Sequence, residues 1–264
     1  FYFCNRLIKD SVADIFKNQI TRFASVITDE IGEDSMAMLS SGKLPKLKAL
    51  MLHNGTTYPW NRPCYGVVDN VAHLRIECRY LPSGPSIIDE IANFVLWVGL
   101  MKAMPENFRH PNQMGDFREA KANFVNAARM GMGTGMSWGE STYWAPKLVN
   151  NVLLPMAEKG LADACIDSAD INKYLGVIQG RCAKGINGSS WQIRNYRKLK
   201  DRYGVGKALI LLTREMYHRQ ESGEPVHEWK DVQLPSFKAA HVGELTAAKI
   251  MSTDLFTVRE SDFI

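Results

Sequence analysis

The side chains with the most chemical reach fall in one short stretch: Arg62, His73, Arg75, Glu77 and Arg79. From Val71 to Tyr80 polar and apolar residues alternate, and successive side chains of a strand point to opposite faces. Leu74, Ile76, Cys78 and Tyr80 therefore share an apolar face that can pack on helices, while His73, Arg75, Glu77 and Arg79 share a polar one. A two-residue turn at Asp69-Asn70 folds the preceding segment back. It pairs Val68 with Val71, Tyr65 with Leu74, Arg62 with Glu77 and Trp60 with Arg79, so Arg62 joins the polar face. A slip of one residue would undo this placement. Two chemistries are open to such a face. One is a solvated cross-strand Arg–Glu pair contributing under about 1 kcal/mol. The other is a binding site, because guanidinium forks match phosphate and carboxylate oxygens two at a time. A carboxylate beside substrate phosphates also suits Mg2+.

These residues need a frame to hold them. Pro63 removes a ladder donor, which puts the first strand at an edge or makes it irregular. The spacing of Val12, Ile15, Phe16, Ile20, Phe23, Ile27 and Ile31 predicts a helix over 11–31 with Ser11 as its N-cap. Residues 35–50 read as a short helix and loop broken by Gly42 and Pro45, and 56–81 as the two strands. After Pro85 the pattern turns helical, with helices expected over 86–103, 116–130, 141–162, 168–184, 189–199 and 205–221. Gly131–Gly135 and Gly185–Gly188 separate them, and a polar connector runs from Glu221 to Pro235.

Length and composition narrow the class. The chain has 264 residues, 45% hydrophobic and 23% charged, with a net charge of +4. That is ordinary globular composition, enough to exclude general disorder and too weakly basic for a nucleic-acid surface. Five cysteines (Cys4, Cys64, Cys78, Cys165 and Cys182) form no CxxC pair and are odd in number. This argues against a disulfide framework and for a reducing cytoplasm. The most apolar run, 91–101, is about half of what a bilayer needs, so no membrane partner is expected.

Thr56 to Pro63, then His73 to Arg79, then Leu81-Pro82-Ser83-Gly84-Pro85, resemble the C-terminal half of glutamate–cysteine ligases, in the bacterial branch where CBS domains follow. Pro59 interrupts the family's T-x-Y-W-x-x-R-P-like strand. The likeness covers roughly residues 10–229, including Asn187 to Gln192, and divides the chain into a ligase-like body over 1–237 and the start of a CBS domain over 238–264. The latter rests on Glu244 to Val258, with its Ile250-Met251-Ser252 step.

The resemblance implies an α+β fold: an antiparallel hairpin or sheet portion of a glutamine-synthetase-like ligase, backed by many helices and helix-dominated here. It implies ATP-dependent joining of glutamate to an amine such as cysteine through an acyl phosphate, with Mg2+ (or Mn2+). Glu77 would then be the metal-binding carboxylate. Arg79 and Arg62 would be catalytic, holding phosphate and substrate carboxylate, with Tyr65 and Arg75 as further substrate or ATP contacts. A complete CBS module would add an adenine nucleotide, and such modules often pair, which allows a homo-oligomer. The family's E-x-E strand, which binds further metal ions, is not found before Thr56, so the chain by itself is expected to be inactive. The alternative is a non-catalytic nucleotide-sensing or interaction protein with a degenerate ligase body.

Other motifs carry less. Gly131-Met132-Gly133-Thr134-Gly135 lacks the ending of a phosphate loop and reads as a helix stop. Ser189 reads as a helix cap, and Arg194 to Lys200 as a solvated face. Met130, Met132 and Met136 read as core filling. The histidines at 53, 110, 218, 227 and 241 lack zinc-ligand spacing.

Overall fold

The computed structural model describes residues 7, 11–29, 31–107 and 115–233; the expected CBS opening at 238–264 lies outside them. The described chain is α+β and mostly helical, with two small antiparallel sheets. Helices α1 (Ala13–Arg22), α2 (Ser35–Ser40) and α3 (Lys48–Thr56) come first, then strands β1 (Asn61–Val68) and β2 (Val71–Cys78). Helices α4 (Ile87–Asn107) and α5 (Phe117–Met130) precede a second hairpin, β3 (Gly135–Trp138) and β4 (Ser141–Trp144). Then α6 (Ala145–Leu148), a π-helical turn (Val149–Leu153), α7 (Leu154–Asp163), α8 (Ser168–Lys184), α9 (Gly188–Tyr203) and α10 (Val205–Ser222) follow.

The described residues divide into two compact units. The first is drawn from residues up to 84 and from 89 to 185, the second from 85–88 and from 186 to the last described residue, 233. In the first unit small residues let helices cross closely. A Cβ on Gly99 in α4 would meet the Ala157 carbonyl of α7 at 2.5 Å, and one on Gly160 would clash with the Gly99 carbonyl. Asp89 is fully buried there and is met by Arg181, whose Nη1 also donates to Asn93 Oδ1 at 2.7 Å. In the second unit Trp191 and Trp229 pack edge to face at 5.2 Å, within a core that includes Leu199, Leu211 and Val226. The segment after α10 is strapped to α9 there. Fully buried Asn195 accepts from Val232 N at 2.8 Å, and Asp231 is held by Arg194 and Lys198.

Several boundaries differ from expectation for identifiable reasons. α1 stops at Arg22 rather than near Ile31, and Phe23 is extended. His53 Nε2 donates to the Phe23 carbonyl at 2.7 Å, taking the end of the helix to α3. Ser11 Oγ does accept from Ala13 N at 3.1 Å. Residues 141–144 form a strand instead of opening a helix. Asn123 of α5 secures that hairpin, donating to the Ser137 carbonyl at 2.6 Å and accepting from Ser137 N at 2.9 Å. The α9 cap is Asn187, not Ser189: its side chain accepts from Ser190 N at 2.8 Å, and Ser190 Oγ accepts from Asn187 N in return. Met130 is exposed rather than core.

Candidate anion-binding face

The register of the first hairpin follows the turn. Asp69 and Asn70 both adopt left-handed φ values, 49° and 58°, which Asp and Asn tolerate and a two-residue hairpin turn of this hand requires. Val68 pairs with Val71, Tyr65 with Leu74 and Arg62 with Glu77, and Arg79 N donates to the Trp60 carbonyl at 2.9 Å. The expected pairing of Arg62 with Glu77 is therefore realised.

Glu77 sits between two guanidinium groups. Arg79 Nε donates to its Oε1 at 2.8 Å; Arg62 Nε donates to Oε2 at 2.8 Å, and Arg62 Nη2 makes a second, shorter bond there. These donors, Arg79 foremost and Arg62 with it, hold the Glu77 carboxyl below the usual carboxylate range, so it is ionised. Two positive charges against one negative leave the cluster cationic. Arg62 also reaches the Asn54 carbonyl at 3.4 Å, while Asn54 Nδ2 donates to the Pro63 carbonyl at 2.8 Å. α3 thus braces the outer edge of β1 at Pro63, whose carbonyl faces away from β2. The Arg79 guanidinium lies 4.3 Å from the Tyr58 ring, and its Nη1 is buried without an acceptor among the described residues. The aromatic ring of Phe124 in α5 packs against Trp60 at 4.9 Å and against Tyr80 at 6.3 Å, supporting the same end of the hairpin.

The other expected site residues, Arg75 and Tyr65, keep the faces expected from the register but lie outside the ion-paired cluster. Arg75 pairs with Cys64 in the ladder and is exposed on the same face as the cluster. Tyr65 lies on the opposite face, with Leu74, and its hydroxyl donates to the Pro45 carbonyl at 2.9 Å. That bond ties the strand to the loop before α3 and sets the Tyr65 hydroxyl apart from the guanidinium groups. The apolar face is not covered as expected: Leu74 is 56% exposed and Ile76 49%. On the polar face Arg62, Cys64, His73, Glu77 and Arg79 are half-buried.

The Mg2+ (or Mn2+) expected at Glu77 does not fit this arrangement. Both carboxylate oxygens already accept from guanidinium groups, and two cations flank any incoming metal. No group of three or more His, Cys, Asp or Glu residues that could hold a metal ion is found among the described residues. An anion fits better than a cation. Asn54, Tyr58 and Cys64, whose Sγ lies 3.9 Å from Glu77 Oε2, belong to the site although their types gave little sign of it. The signal that could have found Asn54 was Pro63, which marks β1 as an edge strand whose outward carbonyls need donors from elsewhere.

No family model, no curated protein and no solved structure matches the chain. Among the described residues no helix is long and apolar enough to cross a membrane.

Proposed function

We propose that the Arg62–Glu77–Arg79 face binds the anionic substrates of an ATP-dependent carboxylate–amine ligase of the glutamate–cysteine type. The observation that carries this reading is the pair of guanidinium groups oriented by one shared carboxylate, with Arg79 Nη1 a buried donor lacking an acceptor among the described residues. In the proposed reaction a glutamate γ-carboxylate oxygen attacks the γ-phosphorus of ATP and ADP leaves. The amine nitrogen then attacks the acyl carbon, phosphate departs and the amine proton is lost, giving a γ-glutamyl amide. Little acid–base work is required of the protein; its contribution is charge neutralisation and alignment. Arg62 and Arg79, preorganised by Glu77, would supply both. The sequence resemblance at Trp60 to Pro63, Glu77 to Arg79 and Leu81 to Pro85 supports the assignment of reaction type. The free thiols Cys64, Cys78, Cys165 and Cys182 are in keeping with a cytoplasmic setting.

A second reading has its own support. Among the described residues Glu77 is the only carboxylate in the cluster and is already engaged, which suits a body that binds a nucleotide without turning it over. Glutamate-dependent ADP release from Mg·ATP separates the two when measured on a protein that joins this chain to the E-x-E strand the resemblance implies. The ligase reading expects release that Arg62→Ala and Arg79→Ala abolish with the fold intact by circular dichroism. Nucleotide binding without release supports the sensor, and wild-type turnover in both variants overturns the proposed site.

A further inference from the structure

The two edges of the first hairpin are treated differently. Arg79 N donates to the Trp60 carbonyl, and that bond fixes which backbone groups of β2 point where. Val71, His73, Arg75 and Glu77 turn theirs to β1; Ala72, Leu74 and Ile76 turn theirs outward. The outer edge of β1 is met by α3, where Asn54 donates to the Pro63 carbonyl. The outer edge of β2 has no such cover. The sheet has two strands, and among the described residues nothing bonds the outward N–H and C=O groups of Ala72, Leu74 and Ile76. All three residues are exposed. The register runs unbroken from Val71 to Cys78, so no bulge twists this edge away and no proline blocks it. Such an edge is a template for another strand.

Its two faces define the strand it takes. One carries Arg62, Arg75 and Arg79 against Glu77 alone, three positive charges to one negative. Arg75 is exposed and stands outside the Glu77 ion pairs. The other face presents Leu74 and Ile76 to solvent. Because the Arg75 backbone is turned to β1, a residue opposite it on an added antiparallel strand falls in a non-hydrogen-bonded pair, where side chains come closest. We propose that the free edge of β2 receives an extended peptide segment with an acidic residue opposite Arg75 and apolar residues opposite Leu74 and Ile76. Main-chain bonds to Leu74 and Ile76 supply affinity, and the alternating side chains select the partner. A second copy of β2 is a poorer match, since it sets one cationic face beside another. Occupancy of this edge does not depend on the ligase reading.

The probe is a short capped peptide alternating valine and glutamate, titrated into the purified chain with amide hydrogen exchange followed by NMR. Saturable binding should slow exchange at the Leu74 and Ile76 amides and leave the Arg75 and Glu77 amides, already turned to β1, unchanged. A valine–lysine peptide should bind about fivefold more weakly or worse, as should the valine–glutamate peptide on Arg75→Glu. Methylating the peptide nitrogens that face β2 should abolish binding. Ile76→Pro removes one outward donor while sparing the bonds to β1, and should abolish it too, with exchange at Arg75 and Glu77 reporting that the hairpin persists. Binding that survives N-methylation is charge adhesion without strand pairing and overturns the proposal. So does the absence of saturable binding, or protection of Leu74 and Ile76 that rises with protein concentration when no peptide is present.

Discussion

Arg181 reaches Asp89 across ninety-two positions of sequence, its Nε donating to Oδ1 at 3.0 Å and its Nη2 to the Asp89 carbonyl at 2.9 Å. The aspartate is completely buried and the arginine nearly so. Burial lowers the Arg181 pKa, and Asp89 opposes that shift. The pair fixes α8 against the start of α4. Removing one partner strands the other charge in a dry environment, which typically costs about 3–5 kcal/mol. Arg181→Ala should therefore lower the urea midpoint sharply, and the double variant Arg181→Leu/Asp89→Leu should be less damaged than Arg181→Ala alone. A double variant worse than the single would argue against a stranded charge as the cause.

His73 and Gly66 face each other across the hairpin. A Cβ on Gly66 would come within 2.7 Å of His73 Cε1 and 2.9 Å of Nε2. Gly66→Ala must displace the ring, and overpacking of this kind costs about 1–3 kcal/mol. In a His73→Ala background the same change should be neutral or stabilising, because alanine disfavours the unfolded chain relative to glycine. Equal effects in both backgrounds, measured by chemical denaturation, would rule out the ring contact.

Glu77 gives the hairpin a pH dependence whose sign is fixed. Its pKa is lower folded than unfolded, so its contribution is complete above the unfolded value of about 4.3 and is lost as pH falls through the depressed folded value. The side chain is 40% exposed, so solvent screening keeps the effect to about 1 kcal/mol or less. Wild type should exceed Glu77→Gln in stability at neutral pH, and the difference should shrink towards zero in acid. A difference that grows in acid contradicts the ion-pair assignment.

Asn195 is completely buried and connects the strap to α9: its Nδ2 donates to the Trp191 carbonyl at 2.8 Å, and its Oδ1 accepts from Val232 N. Asn195→Ala leaves that amide without its acceptor. Hydrogen exchange at Val232 should accelerate while exchange in the middle of α8 does not. Unchanged exchange at Val232 would show that the strap is held by Asp231 alone.

The first hairpin was legible because two local signals agreed. Strict alternation over 71–80 fixed the faces, and the Asp69-Asn70 turn fixed the register, so Arg62 fell opposite Glu77 without any long-range knowledge. α8 and α10 were equally readable from periodicity and from the glycines that end them. The second hairpin was not. Its strands have four residues each, too few for alternation to stand out, and they depend on Asn123, a partner fourteen residues from Ser137. The length of α1 was hidden for the same reason, since His53 captures Phe23 from thirty residues away. Tyr65 shows a different limit. Its register already placed it on the other face from Arg62 and Glu77; the resemblance alone made it a substrate contact, and the acceptor its hydroxyl finds, the Pro45 carbonyl, lies in a loop twenty residues earlier.

The π-helical turn at Val149–Leu153 acts as a rotational spacer between α6 and α7. Each residue turns a helix by about 100°. Shortening that turn by one residue would swing every later position of α7 around its axis and carry Gly160 away from Gly99. The close approach of α4 and α7 therefore depends on a supernumerary residue, and the notch cut by the two glycines matches only at this phase.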